Sequence, residues 1–412
     1  MNSKAIIGIM VVAIVAIAGI AVISFGDSDD KKDKDNGGTD TKYVKDALGR
    51  DVPVPTDFKN GIMTIGSSGP LRFASLFDVY DDIIEVDKGD ITDPRNGRGY
   101  SYAYDYYKMD ADKQSHPDSN LDSATAEKIG KKNPSLIITH VGTWNKAAEN
   151  FEKLATRCTI VVLADQQMKY MTDENGKLAD YFTFNVNLLG EILNKQDRAK
   201  EVIDGVQKIV DDIKSISGTS DKNVYVAGVT ISGSNTLNTT FPTYIPFVLN
   251  GIKNAYNGGS TENKVTMLIE SFTTMPMDMI VIDPSSSDKI KGNQDSQYVL
   301  EYLYRVNNDS DPSNNIPLYV TVPIVWDSIN YDCALASAYY TAYLVYGTLT
   351  LEQVEEKINN VFTTFYGDHG KNVFKDMCGF FVEKSKNNGQ EMPVLGEVVV
   401  KKNGNEYYLA AA

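Results

Sequence analysis

Apolar residues along the chain fall into short blocks that alternate with longer stretches of helical spacing. Residues 62–65 form one such block and run into Gly66, Ser67, Ser68, Gly69 and Pro70, after which 71–77 takes a helical pattern. Blocks at 82–86, 135–139 and 159–163 read as further strands, with a helix over 124–131 ahead of the second. Short apolar strands that alternate with helices predict an α/β lobe with a mainly parallel sheet.

The most periodic segment follows. Leu189, Ile192, Leu193, Ala199, Val202, Ile203, Val206, Ile209, Val210, Ile213 and Ile216 keep one helical face. The spacing predicts a single helix of roughly 30 residues, about 45 Å long, which exceeds one lobe's diameter. Its central position makes it an interlobe strut over 181–217, between an N-terminal lobe (43–180) and a C-terminal lobe (218–412). The α/β pattern restarts after it: strands at 224–231, 279–282 and 318–322, and helices at 244–256, 334–345 and 351–365. Residues 398–400 and 407–409 predict a hairpin turning at Asn403-Gly404.

The N-terminus has a different character. Residues 5–25 are uncharged and almost wholly apolar, enough for a helix to cross a hydrocarbon core of about 30 Å. Segment 1–26 is therefore a membrane anchor or a signal segment. Its length and the lack of a small-residue cleavage site favour an uncleaved anchor, with the rest of the chain outside. Lys31 and Lys32 weaken the orientation signal. No cysteine near its end offers a bacterial-type lipid anchor, which fits an archaeal-like cell surface. Residues 27–42 are rich in Asp, Lys and Gly and read as a flexible acidic linker.

Composition narrows the function. With 412 residues and 42% hydrophobic content the chain can build more than one core. A net charge of −15 repels phosphate backbones and argues against nucleic acid as a partner. Cys158, Cys333 and Cys378 are widely spaced and read as buried small hydrophobes, with a Cys333–Cys378 disulfide as the alternative. No nucleophile elbow, P-loop, dinucleotide fingerprint or paired-histidine metal motif is present. The expectation is a binding protein rather than an enzyme, a monomer without a resident metal or cofactor. Asn238 and Asn308 begin glycosylation triplets.

One pattern occurs twice. Glu127 precedes Pro134 and the apolar Leu136, Ile137 and Ile138; Glu270 precedes Pro276 and Met279, Ile280 and Val281. Two such units flanking a long helix predict two similar lobes. Together with Val44, Asp46, Gly49, Arg50, Val52 and Pro53 at the start, the Asn254-Ala255 pair, and the late helix 334–346, this order resembles the substrate-binding proteins of iron-siderophore, heme and vitamin B12 ABC importers. The resemblance covers about 43–376 and departs at Gly347, where the family has proline. It implies two lobes joined by one helix, a ligand cleft between them and modest opening. It also implies an ABC permease and its ATPase as partners, with Glu127 and Glu270 as the docking carboxylates.

Strand-end loops should line the cleft. Ser67, Ser68 and Gly69 open a helix and suit an anionic group, with Arg72 as a further contact. Tyr100, Tyr102, Tyr104, Tyr106 and Tyr107 alternate as though on one strand face, suiting a bulky chelate or macrocycle. His140, Thr143 and Trp144 follow one strand; Trp326, Asn330 and Tyr331 follow another, so the two tryptophans are expected to face each other. Ser232, Ser234, Asn235, Thr236 and Asn238 supply polar contacts. A ferric siderophore, cobalamin or heme is the expected ligand class. A molybdate- or tungstate-type oxyanion is one alternative, and a membrane-anchored sensor or adhesion ectodomain of the same fold is the other.

Overall fold

The computed structural model describes residues 41–91, 97–106, 116–165, 171–173, 176–229, 233, 235–260, 264–326 and 328–412, with the Trp326 side chain excepted. The expected anchor and all of the linker but its last two residues lie outside these. Among the described residues no helix is long and apolar enough to cross a membrane.

A short ribbon, β1 (Tyr43–Lys45) against β2 (Asp51–Pro53), leads into the first sheet. That sheet holds β3 (Ile62–Thr64), β4 (Ile83–Glu85), β5 (Leu136–His140) and β6 (Thr159–Leu163) in the order β4-β3-β5-β6, all parallel. Parallel strands must be covered on both faces, and Ile62, Leu136 and Ile138 pack on one side while Met63, Ile137 and Ile160 pack on the other.

The second half builds β7 (Asn223–Ala227), β8 (Thr239–Thr240), β9 (Lys253–Asn254), β10 (Val265–Thr266), β11 (Met279–Ile282), β12 (Leu318–Val320), β13 (Val325–Trp326), β14 (Ser328–Ile329), β15 (Gly396–Asn403) and β16 (Glu406–Ala411). Six of them form one sheet, β16-β15-β12-β11-β7-β9. Its β9, β7, β11 and β12 run parallel, and the β15–β16 hairpin is added antiparallel to β12. Two sheets with no strand shared between them give the expected two-lobed α/β architecture.

Three elements differ from expectation. The 189–216 periodicity spans two helices, Asp180–Ile192 and Gln196–Ile216. Asn194 breaks the path at φ 54°, and the Lys195 amine donates to the carbonyls of Phe77 and Asp78. A Cβ on Gly190 would stand 2.6 Å from that of Ala199, so the two helices meet backbone to backbone there. Spacing alone could not reveal the break because both helices bury the same stripe. Residues 244–256 hold only the helix Ile245–Asn250 before Gly251, at φ 67°, turns the chain into β9. The hairpin turn sits one residue later than expected, since Asn403 still pairs with Glu406.

The 21-residue helix Gln196–Ile216 is about 31 Å long. It packs against helices of both halves, among them Asp180–Ile192, Tyr331–Tyr346 and Leu351–Tyr366. Arg198 ties the halves further: Nε donates to Leu76 O, and Nη2 to the carbonyls of Thr364 and Phe365. One apolar cluster runs without a break from Phe73, Leu76 and Phe182 to Tyr331, Phe362 and Tyr366. A close-packed seam of this kind resists wide hinge opening.

Candidate functional site

The C-terminal ends of β3, β5 and β6 open on one cavity of about 340 Å³, lined by Ser67, Gly69, Phe73, His140, Gly142, Leu163, Ala164 and Asp165. Ser328, from the β13–β14 hairpin of the second half, also lines it. The cavity therefore sits between the two sheets' loop edges, where open α/β folds place ligands.

The β3 loop is held from behind by two carboxylates. Gly66 N donates to Asp87 Oδ2 at 2.8 Å, and Ser68 N to both oxygens of Asp90 at 3.1 and 3.3 Å. Gly66 and Ser68 adopt φ 115° and 61°. The Ser68 value is strained for a side-chain-bearing residue, and the Asp90 bonds hold it. The expected anion cradle is thus already filled by the protein's own acids. Asp90 also accepts from the Tyr100 hydroxyl at 2.8 Å and lies 4.0 Å from Arg98. Burial, reinforced by neighbouring Asp90, pushes Asp87 up to about 7. Burial raises Asp90 as well, against the pull of Arg98.

His140 is satisfied at both ring nitrogens. Nδ1 lies 2.7 Å from Asp165 Oδ1, and Nε2 lies 2.9 Å from Thr143 Oγ1. An ionised Asp165 accepts a hydrogen bond from Nδ1–H, which leaves Nε2 to accept from the Thr143 hydroxyl. Gly66 and Gly69 pack on the imidazole, since a Cβ on Gly66 would come within 2.8 Å of its Cδ2. Asp165 Oδ1 also accepts from Gly142 N at 2.8 Å. The His140 bond, then the Gly142 amide, hold this carboxylate below its usual range.

Of the expected ligand residues, Ser67 and His140 line the cavity. Ser68 is buried behind it. Arg72 is buried too and donates to Asn330 Oδ1 at 3.0 Å, across the seam. Tyr331 is buried with its hydroxyl against that of Tyr181, and Asn235 is buried, donating to Val229 O and accepting from Lys264. Ser232, Ser234, Tyr107 and the Trp326 side chain lie outside the described residues.

The tyrosine run is corrected. Residues Tyr100–Ala103 form a short helix, not a strand, so the phenols do not share one face. Tyr100 and Tyr104 are buried, and Tyr102 packs edge-on to Phe380. Tyr104 meets Tyr80, Tyr106, Tyr366 and His369. These rings line the seam between the halves. Trp144 is corrected as well: it stacks on Phe151 at 5.2 Å, beneath Arg50, in the core on the far face of the first sheet. Helical geometry turned it there, one residue beyond Thr143. Cys333 and Cys378 are free thiols, not a disulfide. Asn238 is buried, its amide donating to Met267 O, and cannot accept a glycan.

Glu127 and Glu270 are exposed, on the helices Ser123–Lys132 and Ile269–Thr274. Glu127 pairs with Lys131 at 2.8 Å. Each helix leads into a buried parallel strand, β5 and β11, so the repeat seen in sequence is also a repeat of structure. Sequence reasoning missed Asp87, Asp90, Phe73, Asp165 and Ser328. Asp165 and Asp87 each stand two residues beyond a strand, which was the available signal.

No protein-family model and no curated protein sequence matches the chain. Solved structures do. A periplasmic solute-binding protein from Veillonella parvula superposes with a TM-score of 0.53 at 16% identity, over 81% of this chain and 96% of that one. The molybdate periplasmic binding protein MolA of a Haemophilus influenzae ABC transporter, bound to molybdate, gives 0.51 at 12% identity, over 79% and 98%. The chain has the fold of the periplasmic solute-binding proteins.

Proposed function

We propose that this protein is the extracytoplasmic substrate-binding component of an ABC importer, one that captures a metal-bearing small molecule between its lobes. The observation that carries the reading is the cavity at the strand ends of the first sheet, lined also by Ser328 of the second half. Ligand enclosure by two lobes needs donors from both, and the β13–β14 hairpin supplies the second set. The protein does no covalent chemistry on its cargo. Ser67, Ser328 and Asp165 give the cavity polar walls, and Phe73 gives it an apolar one. Glu127 and Glu270, one on each half, are the carboxylates that dock on a basic permease. Residues 5–25 tether the monomer to the membrane's outer face.

The ligand class is a compact metal chelate. About 340 Å³ lies at the lower end of small-molecule sites, roughly 300–1,000 Å³, so a large macrocycle would protrude. A second reading, a bare oxyanion, draws support from that size and from the likeness in fold to the molybdate protein. The test is a thermal-shift and calorimetric panel of ferric siderophores, cobalamin, heme, molybdate and tungstate. A cleft ligand at a hundredfold excess over its Kd stabilises by about 2.7 kcal/mol, and Ser328→Trp should abolish the effect by filling the cavity. Binding that survives Ser328→Trp, or no binding across the panel, would refute the cleft assignment.

A further inference from the structure

Among the described residues that line the cavity, Asp165 is a carboxylate held in place through one of its two oxygens. Asp165 Oδ1 takes two bonds, from His140 Nδ1 and Gly142 N. Oδ2 has no hydrogen-bond partner among the described residues, and the side chain remains 51% exposed while lining the cavity. Lys146 acts on Asp165 through its charge and helps keep it ionised, with no hydrogen bond to it among the described residues. Arg72 is turned to Asn330 across the seam, and Arg98 lies beside Asp90. The backbone amides that would welcome an anion, at Gly66 and Ser68, are already taken by Asp87 and Asp90. An anion entering here would meet a fixed carboxylate, with the Gly66 and Ser68 amides already committed. A cation would meet a preorganised acceptor that costs little to orient.

Resting on the reading of this cavity as the ligand site, we infer that Asp165 is its specificity-determining residue and that it selects cargo presenting a positive charge. The class is a cationic complex, or a chelate with a cationic rim, rather than an oxyanion. His140 acts as a positioning residue: with both nitrogens occupied it holds the Asp165 carboxylate through Oδ1 and leaves Oδ2 for the ligand. Phe73 gives the same ligand a ring face, which cations also favour.

Two inert octahedral probes separate charge from coordination chemistry: hexaamminecobalt(III), tripositive, and hexacyanocobaltate(III), trinegative. Neither exchanges its ligands readily, so binding reports outer-sphere contacts alone. Calorimetry on the full chain should detect hexaamminecobalt and not hexacyanocobaltate. Asp165→Asn should weaken hexaamminecobalt about tenfold, the effect of one charge-assisted contact. Glu356→Gln, an exposed acid on the helix Leu351–Tyr366, removes the same net charge and should change nothing. His140→Gln should weaken the probe in the same direction as Asp165→Asn, with folding checked by circular dichroism.

Equal losses in Asp165→Asn and Glu356→Gln would mean diffuse surface attraction and overturn the inference. So would unchanged binding in Asp165→Asn, or tight hexacyanocobaltate binding that Asp165→Asn strengthens. In that last case Ser328→Trp tells which idea failed: loss of hexacyanocobaltate leaves the cleft assignment standing and reverses only its charge preference. Silence from both probes also overturns the charge inference, and the cleft assignment then rests on the ligand panel.

Discussion

Asp87 offers the sharpest test of the electrostatics behind the β3 loop. Its carboxylate accepts from Gly66 N and Gly89 N, each at 2.8 Å, contacts that favour the ionised form. Burial and the adjacent Asp90 oppose them and win, placing the group at about 7 against an ordinary 3.8. A carboxylate raised in the folded state binds its proton more tightly there than in the unfolded chain. Its contribution to stability is therefore complete below about pH 4 and is lost as pH rises towards 7. At about 1.4 kcal/mol per pH unit, the loss between pH 5 and pH 8 is about 2.5 kcal/mol. Asp87→Asn cannot titrate and removes this dependence. The assay is urea unfolding of both proteins at half-unit steps from pH 5 to 8. The wild type should lose about 2.5 kcal/mol relative to the variant over that range, with most of the change below pH 7. Because Asp90 is coupled to it, the observed midpoint belongs to the pair. A difference that stays flat, or grows in the wild type's favour as pH rises, would refute the reasoning. It would mean that the two backbone amides outweigh burial and that Asp87 is ionised throughout.

Other outcomes follow from the same geometry. Asn330→Ala removes an acceptor of buried Arg72 and should cost about 1.5–3 kcal/mol, the range for a hydrogen bond to a charged group, read by chemical denaturation. Gly66→Ala puts a Cβ 2.8 Å from His140 Cδ2 and Thr143 Oγ1 at φ 115°. It should lower the melting temperature and weaken ligand binding together, because the β3 loop must shift. Glu127→Ala and Glu270→Ala should leave both the melting temperature and ligand affinity unchanged while abolishing uptake in a reconstituted transporter. Unimpaired uptake in the double variant would remove the docking assignment.

The chain's own pattern determined the two-lobed α/β plan. Buried parallel strands need near-continuous apolar runs, and 135–139, 159–163 and 279–282 carry them regardless of what packs above. The doubled Glu–Pro–strand unit survived as structure because each copy is local, a helix feeding one strand. Local signals also placed the β15–β16 hairpin to within one residue. What the side chains at strand ends face was not local. Trp144 and Thr143 are adjacent, yet the short helix after β5 sends one to the Phe151 core and the other to His140. The alternating tyrosines at 100–106 looked like a strand because period two was the only cue, and they became a helix and a seam once Phe380, Tyr366 and His369 arrived from the far end of the chain. Asp165 had no sequence mark beyond its place after β6. Only the tertiary structure brings it to His140 and Gly142 and into one cavity with Ser328, because burial and hydrogen-bond satisfaction depend on partners that the chain's order does not reveal.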